Sequence, residues 1–376
     1  MTFKNKLKDL LSIGALNIST SIIFALFWLY LASILSKTEY GELGFLFSVA
    51  NVGAEISLLG FRSVIVVYES KNQNVFSTSF FLVLISANIT AAVTFVLTEN
   101  FMVSILIVGM VLFQIILSGL NSHQRYADFS THKIIRAVIT VIFAIISYEY
   151  FGINGILLSY FISTLFIIKD LNSLLKNKKL EFSLLKPKIS FMLHAYSMRL
   201  SEIFISWGDK LLIGSLFGFS VLGIYYFAVQ YLFLLIALPQ SVSIYLVPQE
   251  SRGKKNKKIK IFSVAISCLI AIVSVMVIPY GINAFLPEYK ESIIPMQILS
   301  LGIIPLSITS IKDSEFFGQE NTRVVLFGSI LQSVFYLIFI ILLGQEFGLI
   351  GISISYVVSV ILRTIFYFVI KYLRDN

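Results

Sequence analysis

Ile261 to Pro287 reads IFSVAISCLIAIVSVMVIPYGINAFLP, twenty-seven residues without a charged side chain. Lys257, Lys258 and Lys260 close it on one side and Glu288 on the other. A helix rising 1.5 Å per residue would carry such a run over about 40 Å. That exceeds the roughly 30 Å of a bilayer's hydrocarbon core, and it is too long for a strand of an outer-membrane barrel. Comparable runs recur at Leu10–Ser36, Asn72–Thr98, Asn100–Gln124, Ser292–Ile311 and Val324–Gln345.

The rest of the 376 residues agree with that stretch. Hydrophobic residues make up 57% and charged residues 13%, against about 45–50% and about 25% for globular chains. No soluble fold of this size buries so much apolar surface, so an integral membrane protein is expected. Turn signals between the runs give an all-α protein of twelve transmembrane helices. They lie near 10–35, 43–68, 75–98, 101–120, 134–151, 153–170, 189–216, 221–247, 259–285, 292–311, 324–343 and 347–370. Gly152 and Gly348 fall at the turns of two close hairpins. Twelve spans of about 20 residues leave no room for a soluble domain. The first apolar run is too long for a cleavable signal peptide and no small-residue cleavage site comes after it. The single cysteine, Cys268, excludes a disulfide framework or a cysteine-based metal cluster.

A net charge of +9 could suggest nucleic acid, but the placement of the charges argues for topology instead. With twelve spans, 23 of the 29 Lys and Arg fall on one side: Lys4, Lys6, Lys8, Lys71, Arg125, Lys133, Arg136, the linkers 169–188 and 252–260, Lys312, Arg323, Lys371 and Arg374. Lys37 and Lys290 fall on the other side, and Arg62, Arg199, Lys210 and Arg363 inside spans. The positive-inside rule then puts both termini in the cytoplasm of a cell-membrane protein. Lysine clusters near helix ends also attract anionic membrane lipids. Nucleic-acid binding has no support.

The lysine-rich stretch 176–188 divides the chain into an N-terminal six-helix bundle, 1–175, and a C-terminal one, 189–376. Weak internal similarity supports the cut. Glu39-Tyr40-Gly41-Glu42-Leu43-Gly44-Phe45 after the first helix parallels Val221-Leu222-Gly223-Ile224-Tyr225-Tyr226-Phe227 after the seventh. Gly152-Ile-Asn-Gly155 parallels Gly348-Leu-Ile-Gly351. Six is even, so the repeats run parallel about an axis along the membrane normal, an arrangement that encloses a central cavity and works by alternating access.

The motifs Trp207-Gly208-Asp209-Lys210, Val221-Leu222-Gly223-Ile224-Tyr225, Leu35-Ser36-Lys37-Thr38-Glu39-Tyr40-Gly41 and Leu286-Pro287-Glu288-Tyr289 resemble the O-antigen-type polysaccharide flippases of the multidrug/oligosaccharidyl-lipid/polysaccharide exporter superfamily. That resemblance implies a V-shaped, MATE-like pair of bundles that moves a lipid-linked oligosaccharide on a polyprenyl (pyro)phosphate from the cytoplasmic to the outer leaflet. It implies no cofactor and no covalent chemistry, a monomer, and contact with other polysaccharide-assembly proteins.

Charges inside spans are expensive and normally face a partner or a wet cavity. Tyr196, Arg199, Glu202, Ser206 and Asp209 are spaced three or four apart, as along one helical face. At the repeat offset Asn17 is the equivalent of Arg199 in the first helix, and with Ser21 it forms a polar patch there. Glu55 and Arg62 share a face of the second helix. Guanidinium offers phosphate a bidentate fork, so Arg199 and Arg62 are the candidate phosphate ligands. Asn17, Tyr196, Glu202, Glu55 and Asp209 are candidate substrate-site neighbours. Trp28, Trp207, Tyr225, Tyr226 and Tyr231 are candidate sugar-stacking rings. Lys210 and Arg363, nearer helix ends, are expected to snorkel to the interface. A multidrug or organic-cation antiporter of the same superfamily stays open, although its cavity should be acidic. An enzyme is disfavoured, since the outer loops hold no paired carboxylates. A Walker A motif is missing from the sequence, which disfavours direct ATP use.

Overall fold

The computed structural model describes the backbone of residues 3–175, 180–250, 256–319 and 321–375, and the side chains among them except 3–18, 237–241, 243–245, 247–250 and 375. The described chain is all helical, with no strand in it. Its helices are α1 (Phe3–Ile34), α2 (Lys37–Leu58), α3 (Phe61–Val64), α4 (Phe76–Thr98), α5 (Phe101–Ser122), α6 (Tyr126–Leu165) and α7 (Ile168–Leu175). After them come α8 (Ile189–Ile203), α9 (Asp209–Phe217), α10 (Phe219–Glu250), α11 (Lys257–Phe285), α12 (Ile293–Leu301), α13 (Ile303–Gly318) and α14 (Thr322–Asp375). Seven described helical stretches are long and apolar enough to cross a membrane, or eight when α2 and its bent continuation count together. The protein is a multi-pass membrane protein.

Two elements are longer than any single crossing. A straight α14, with 54 residues, would extend about 80 Å, and α6, with 40, about 60 Å. Both reverse instead. Gly152 (φ 55°, ψ −138°) interrupts α6 and Gly348 (φ 57°, ψ −135°) interrupts α14, in a region of backbone space that glycine enters at no steric cost. After the first turn Ser147 Oγ donates to the carbonyl of Gly155 at 2.8 Å. Eight residues of straight helix would separate them by about 12 Å. After the second turn a Cβ added to Gly351 would collide with the carbonyl oxygen of Leu343, as one added to Gly155 would with that of Ser147.

The helices pack as two compact units, residues 1–30 with 46–203 and residues 31–45 with 204–376. The sequence divides the chain at 176–188. By packing, residues 31–45 fall with the second unit and α8 with the first. Residues 176–179 of that linker lie outside the described residues.

In the first unit α5 is the most enclosed helix. Asn100 caps it, its Oδ1 accepting from the amides of Met102 (3.0 Å) and Val103 (3.2 Å), which satisfies two otherwise orphaned donors. Its Nδ2 donates to Asn154 at 3.1 Å and ties the cap to the α6 reversal. Glu69 does the same for α4, accepting from the amides of Val75 and Phe76. Trp28 stands edge-on to Phe47, and Phe47 edge-on to Tyr160. Trp28 is therefore core and offers no open face to a sugar.

In the second unit the glycines of the two matched motifs meet. A Cβ on Gly41 would stand 1.8 Å from the carbonyl oxygen of Phe219, and one on Gly223 1.9 Å from that of Lys37. Helix backbones here touch directly. Gly41→Ala and Gly223→Ala are each expected to cost about 3 kcal/mol, the upper end for an overpacked core. Gly281→Ala, where an added Cβ meets nothing within 4 Å, is the control. Thermal unfolding in detergent separates the three. Around this crossing Tyr40, Tyr226 and Tyr289 form a buried aromatic cluster, so Tyr226, like Tyr225, is core and not a stacking platform.

The second unit also holds two ionic networks, one buried and one partly buried. Lys210 donates to both carboxylate oxygens of Asp209 (3.0 and 3.1 Å) and to the carbonyl of Ser206. Tyr336 donates to Asp209 at 2.9 Å, and Tyr225 shares a hydrogen bond with Tyr336. Arg363 reaches Asp313 through Nη2 (2.8 Å), Gln332 at 3.0 Å and Tyr367 at 2.9 Å. The expected snorkelling of Lys210 and Arg363 is thereby corrected. Each has partners at its own depth and stays inside, Lys210 at 1% exposure.

Candidate functional site: a cationic cavity in the first unit

The sequence suggests an unbroken second helix over 43–68. The chain instead breaks where Leu59 (φ 50°) and Gly60 (φ 79°) both adopt left-handed conformations, and its continuation, Phe61–Glu69, is bent by 52°. The strained leucine is the kind of outlier that persists only when its surroundings hold it. Those surroundings are α8, since the carbonyl of Met192 lies 2.5 Å from the position a Gly60 Cβ would take. The short α3 that restarts after the break has two faces. Phe61 and Val64 are buried, while Arg62 and Ser63 line a cavity of about 730 Å³.

Three more helices complete its wall. Phe113, Gln114, Leu117, Ser118 and Asn121 come from one face of α5. Phe129, Lys133 and Arg136 lie at i, i+4 and i+7 on α6, and α8 adds Phe191 and Arg199. Among the described residues the lining therefore carries four cationic side chains and no carboxylate. Arg62 Nη1 donates to Gln114 Oε1 at 2.6 Å and stands 3.9 Å from Glu55. Arg199 pairs with Glu202 at 2.8 Å. The guanidinium of Arg136 lies 4.0 Å from the Phe113 ring centre, and its Nε is buried without a hydrogen-bond acceptor among the described residues.

The two ion pairs differ in strength. Arg199 and Glu202 are about half exposed (46% and 51%), and such a pair contributes only about 0–1 kcal/mol. An anionic ligand can open it at little cost. Glu55 is 9% exposed, so its carboxylate depends on Arg62 far more.

The residues singled out in the sequence thus separate. Arg62 and Arg199 line one cavity, with Glu55 and Glu202 directly behind them. Tyr196 is not in the lining; its backbone and Cβ pack against Gly60 and its hydroxyl reaches toward the carbonyl of Ile56 at 3.5 Å. Asp209 belongs to the buried network of the second unit. The single stripe from Tyr196 to Asp209 does not exist, because regular α-helix stops at Ile203 and gives way to a π-turn, Phe204–Gly208. Its i→i+5 bonding breaks the 3.6-residue period on which the stripe depends. Asn17 lies outside the residues whose side chains are described.

Lys133 and Arg136, counted in the sequence among the charges on the cytoplasmic side, both lie on α6. α6 begins at Tyr126, eight residues before the expected start. The charges that suggest a loop are its N-cap residue, Arg125, and Asp128 in its first turn. They pair at 2.7 Å, and Arg125 also reaches Asp170 of α7 at 2.7 Å. The helical spacing of Phe129, Lys133 and Arg136 is the signal in the sequence that points to them.

Residues 30–286, more than half of the chain, match the family described as polysaccharide biosynthesis protein. No curated protein sequence matches the chain significantly. Among solved structures the fold is similar to the lipid II flippase MurJ in an inward closed conformation, with a TM-score of 0.76 and 14% identity, covering 96% of this chain and 87% of that one. It is also similar to an outward-facing multidrug resistance MATE family transporter of the MOP superfamily (TM-score 0.62, 12% identity, 98% and 95% covered). The eukaryotic MATE transporter AtDTX14 gives a TM-score of 0.62 at 12% identity, with 99% and 96% covered. At such identities the likeness speaks for the fold. The sequence match speaks for the family: the chain belongs to the polysaccharide biosynthesis proteins.

Proposed function

We propose that the protein is a flippase for a glycan linked to a polyprenyl phosphate or pyrophosphate, moved from the cytoplasmic to the outer leaflet by alternating access. In this reading twelve spans form two six-helix halves, both termini are cytoplasmic, and the protein works as a monomer without covalent chemistry. The observation that carries it is the cavity walled by Arg62, Lys133, Arg136 and Arg199 with no carboxylate among the described lining residues. Guanidinium groups take phosphate oxygens bidentately, and a lysine adds a compact point charge. Gln114, Asn121, Ser63 and Ser118 supply amides and hydroxyls for sugar, and the phenylalanines supply apolar faces. Such a wall repels an organic cation, which disfavours the antiporter reading that the shared fold leaves open.

The test is transport by the purified full chain in proteoliposomes. A fluorescent polyprenyl-pyrophosphate disaccharide in the inner leaflet should become accessible to an outside quencher at a rate proportional to the protein present. Movement of ethidium with no movement of the lipid-linked sugar would overturn the proposal.

A further inference from the structure

The opposite face of α3 borders a second cavity, an apolar crevice of about 260 Å³. Phe61 and Val64 form one wall, Leu82 of α4 another, and Leu185 and Met192 the third. Its mouth is basic: Lys186 and Lys188 both line it, and no carboxylate does among the described residues. Lys188 is largely buried, its ammonium bonded to the carbonyl of Leu184 and 4.9 Å from the Tyr68 ring centre. Lys186 is exposed. The segment carrying both lysines is anchored, since the amide of Glu181 donates to Thr78 of α4 at 2.8 Å. Beside the mouth Phe81 and Phe182 stand edge-on at 6.4 Å, and both are exposed (41% and 51%).

We propose that this crevice binds one anionic phospholipid, an acyl chain lying in the slot and the phosphate diester on Lys186. The site is separate from the transported molecule and does not rest on the flippase reading. An apolar slot with a cationic rim is complementary to an acyl chain ending in an anion. The exposed phenylalanine pair suits a lipid-facing surface better than an aqueous one. The lysines also belong to the basic linker that the positive-inside rule assigns to the cytoplasmic face, where anionic lipids attract such residues. A carried lipid bound through Arg62 would meet α3 between its phosphate and this slot, so the crevice needs a lipid of its own.

A methylene that leaves a micelle or bilayer for the slot is already out of water and gains little, so selectivity should follow the headgroup, at about fivefold for each lysine near it. The experiment is native mass spectrometry of the delipidated full chain with palmitoyl-oleoyl phosphatidylglycerol or the matching phosphatidylcholine. The wild type should retain one phosphatidylglycerol at least about fivefold more than phosphatidylcholine. Lys186→Gln should lower that retention about fivefold, and Leu82→Trp, which fills the slot, should lower retention of both lipids. Melting temperatures equal to wild type would show that both variants fold. If Leu82→Trp does not fold, the exposed Lys186→Gln change decides alone. Equal retention of the two lipids by the wild type, or undiminished retention by Lys186→Gln, overturns the proposal. So does mole-for-mole displacement of phosphatidylglycerol by farnesyl phosphate, which would give the crevice to the transported lipid. Flippase activity is a separate measurement, so loss of either conclusion leaves the other standing.

Discussion

Arg62→Ala is expected to slow flipping of a pyrophosphate-linked glycan by about thirtyfold. A charge-assisted hydrogen bond contributes about 1.5–3 kcal/mol, and each 1.4 kcal/mol is tenfold. Arg62→Lys should fall between, because it keeps the charge and loses the fork that spans two phosphate oxygens. Arg136→Ala should approach the same loss, since its guanidinium is one of the four cations in the cavity wall. A structural role for Arg62 must be separated from a binding role, because Glu55 stands 3.9 Å away and is nearly enclosed. Arg62→Ala alone leaves that carboxylate uncompensated. Arg62→Ala with Glu55→Gln removes the stranded charge. If Arg62 acts only by neutralising Glu55, the double variant regains wild-type flipping. If it holds phosphate, the double variant folds like wild type and still fails to flip, the expected result in the proteoliposome assay.

Hydropathy makes the membrane character and most helices legible, because a bilayer imposes one length on any apolar run. It also marks Gly152 and Gly348, where the turn residue lies between two such runs. It is blind to the break at Leu59–Gly60. That break sits inside a mostly apolar stretch, and hydropathy does not register the sign of φ. The same blindness misplaces the start of α6. Arg125 and Asp128 look like loop residues until Asp170, forty-five positions away, is seen to hold Arg125. Two of the four cavity cations therefore pass for topology labels in the sequence. Arg62 and Arg199 are legible because a charge inside an apolar run stands out. The fates of Lys210 and Arg363 are not, since burial or snorkelling depends on partners such as Tyr336 and Asp313 that only the fold brings near.

Lys210→Met is expected to destabilise the second unit by about 3–5 kcal/mol, a large share of the roughly 5–15 kcal/mol that holds a typical protein folded. The side chain removed is 2% exposed, as is that of its partner Asp209. The variant leaves the carboxylate enclosed without its ammonium, although the Tyr336 hydroxyl still donates to it. Tyr336→Phe should cost less, about 1–3 kcal/mol, because the ammonium stays in place. Asp209→Leu with Lys210→Met should recover most of the loss, since replacing a whole buried pair with apolar groups is often neutral or stabilising. Chemical denaturation in detergent would give the cycle, whose coupling energy should have the sign of mutual rescue. The double variant also separates stability from transport. Packing alone predicts a stable chain that still flips its lipid. A stable double variant that has stopped flipping would mean that the Asp209–Lys210 charge pair changes state during transport, and that the second unit contributes more than support for the cationic cavity of the first.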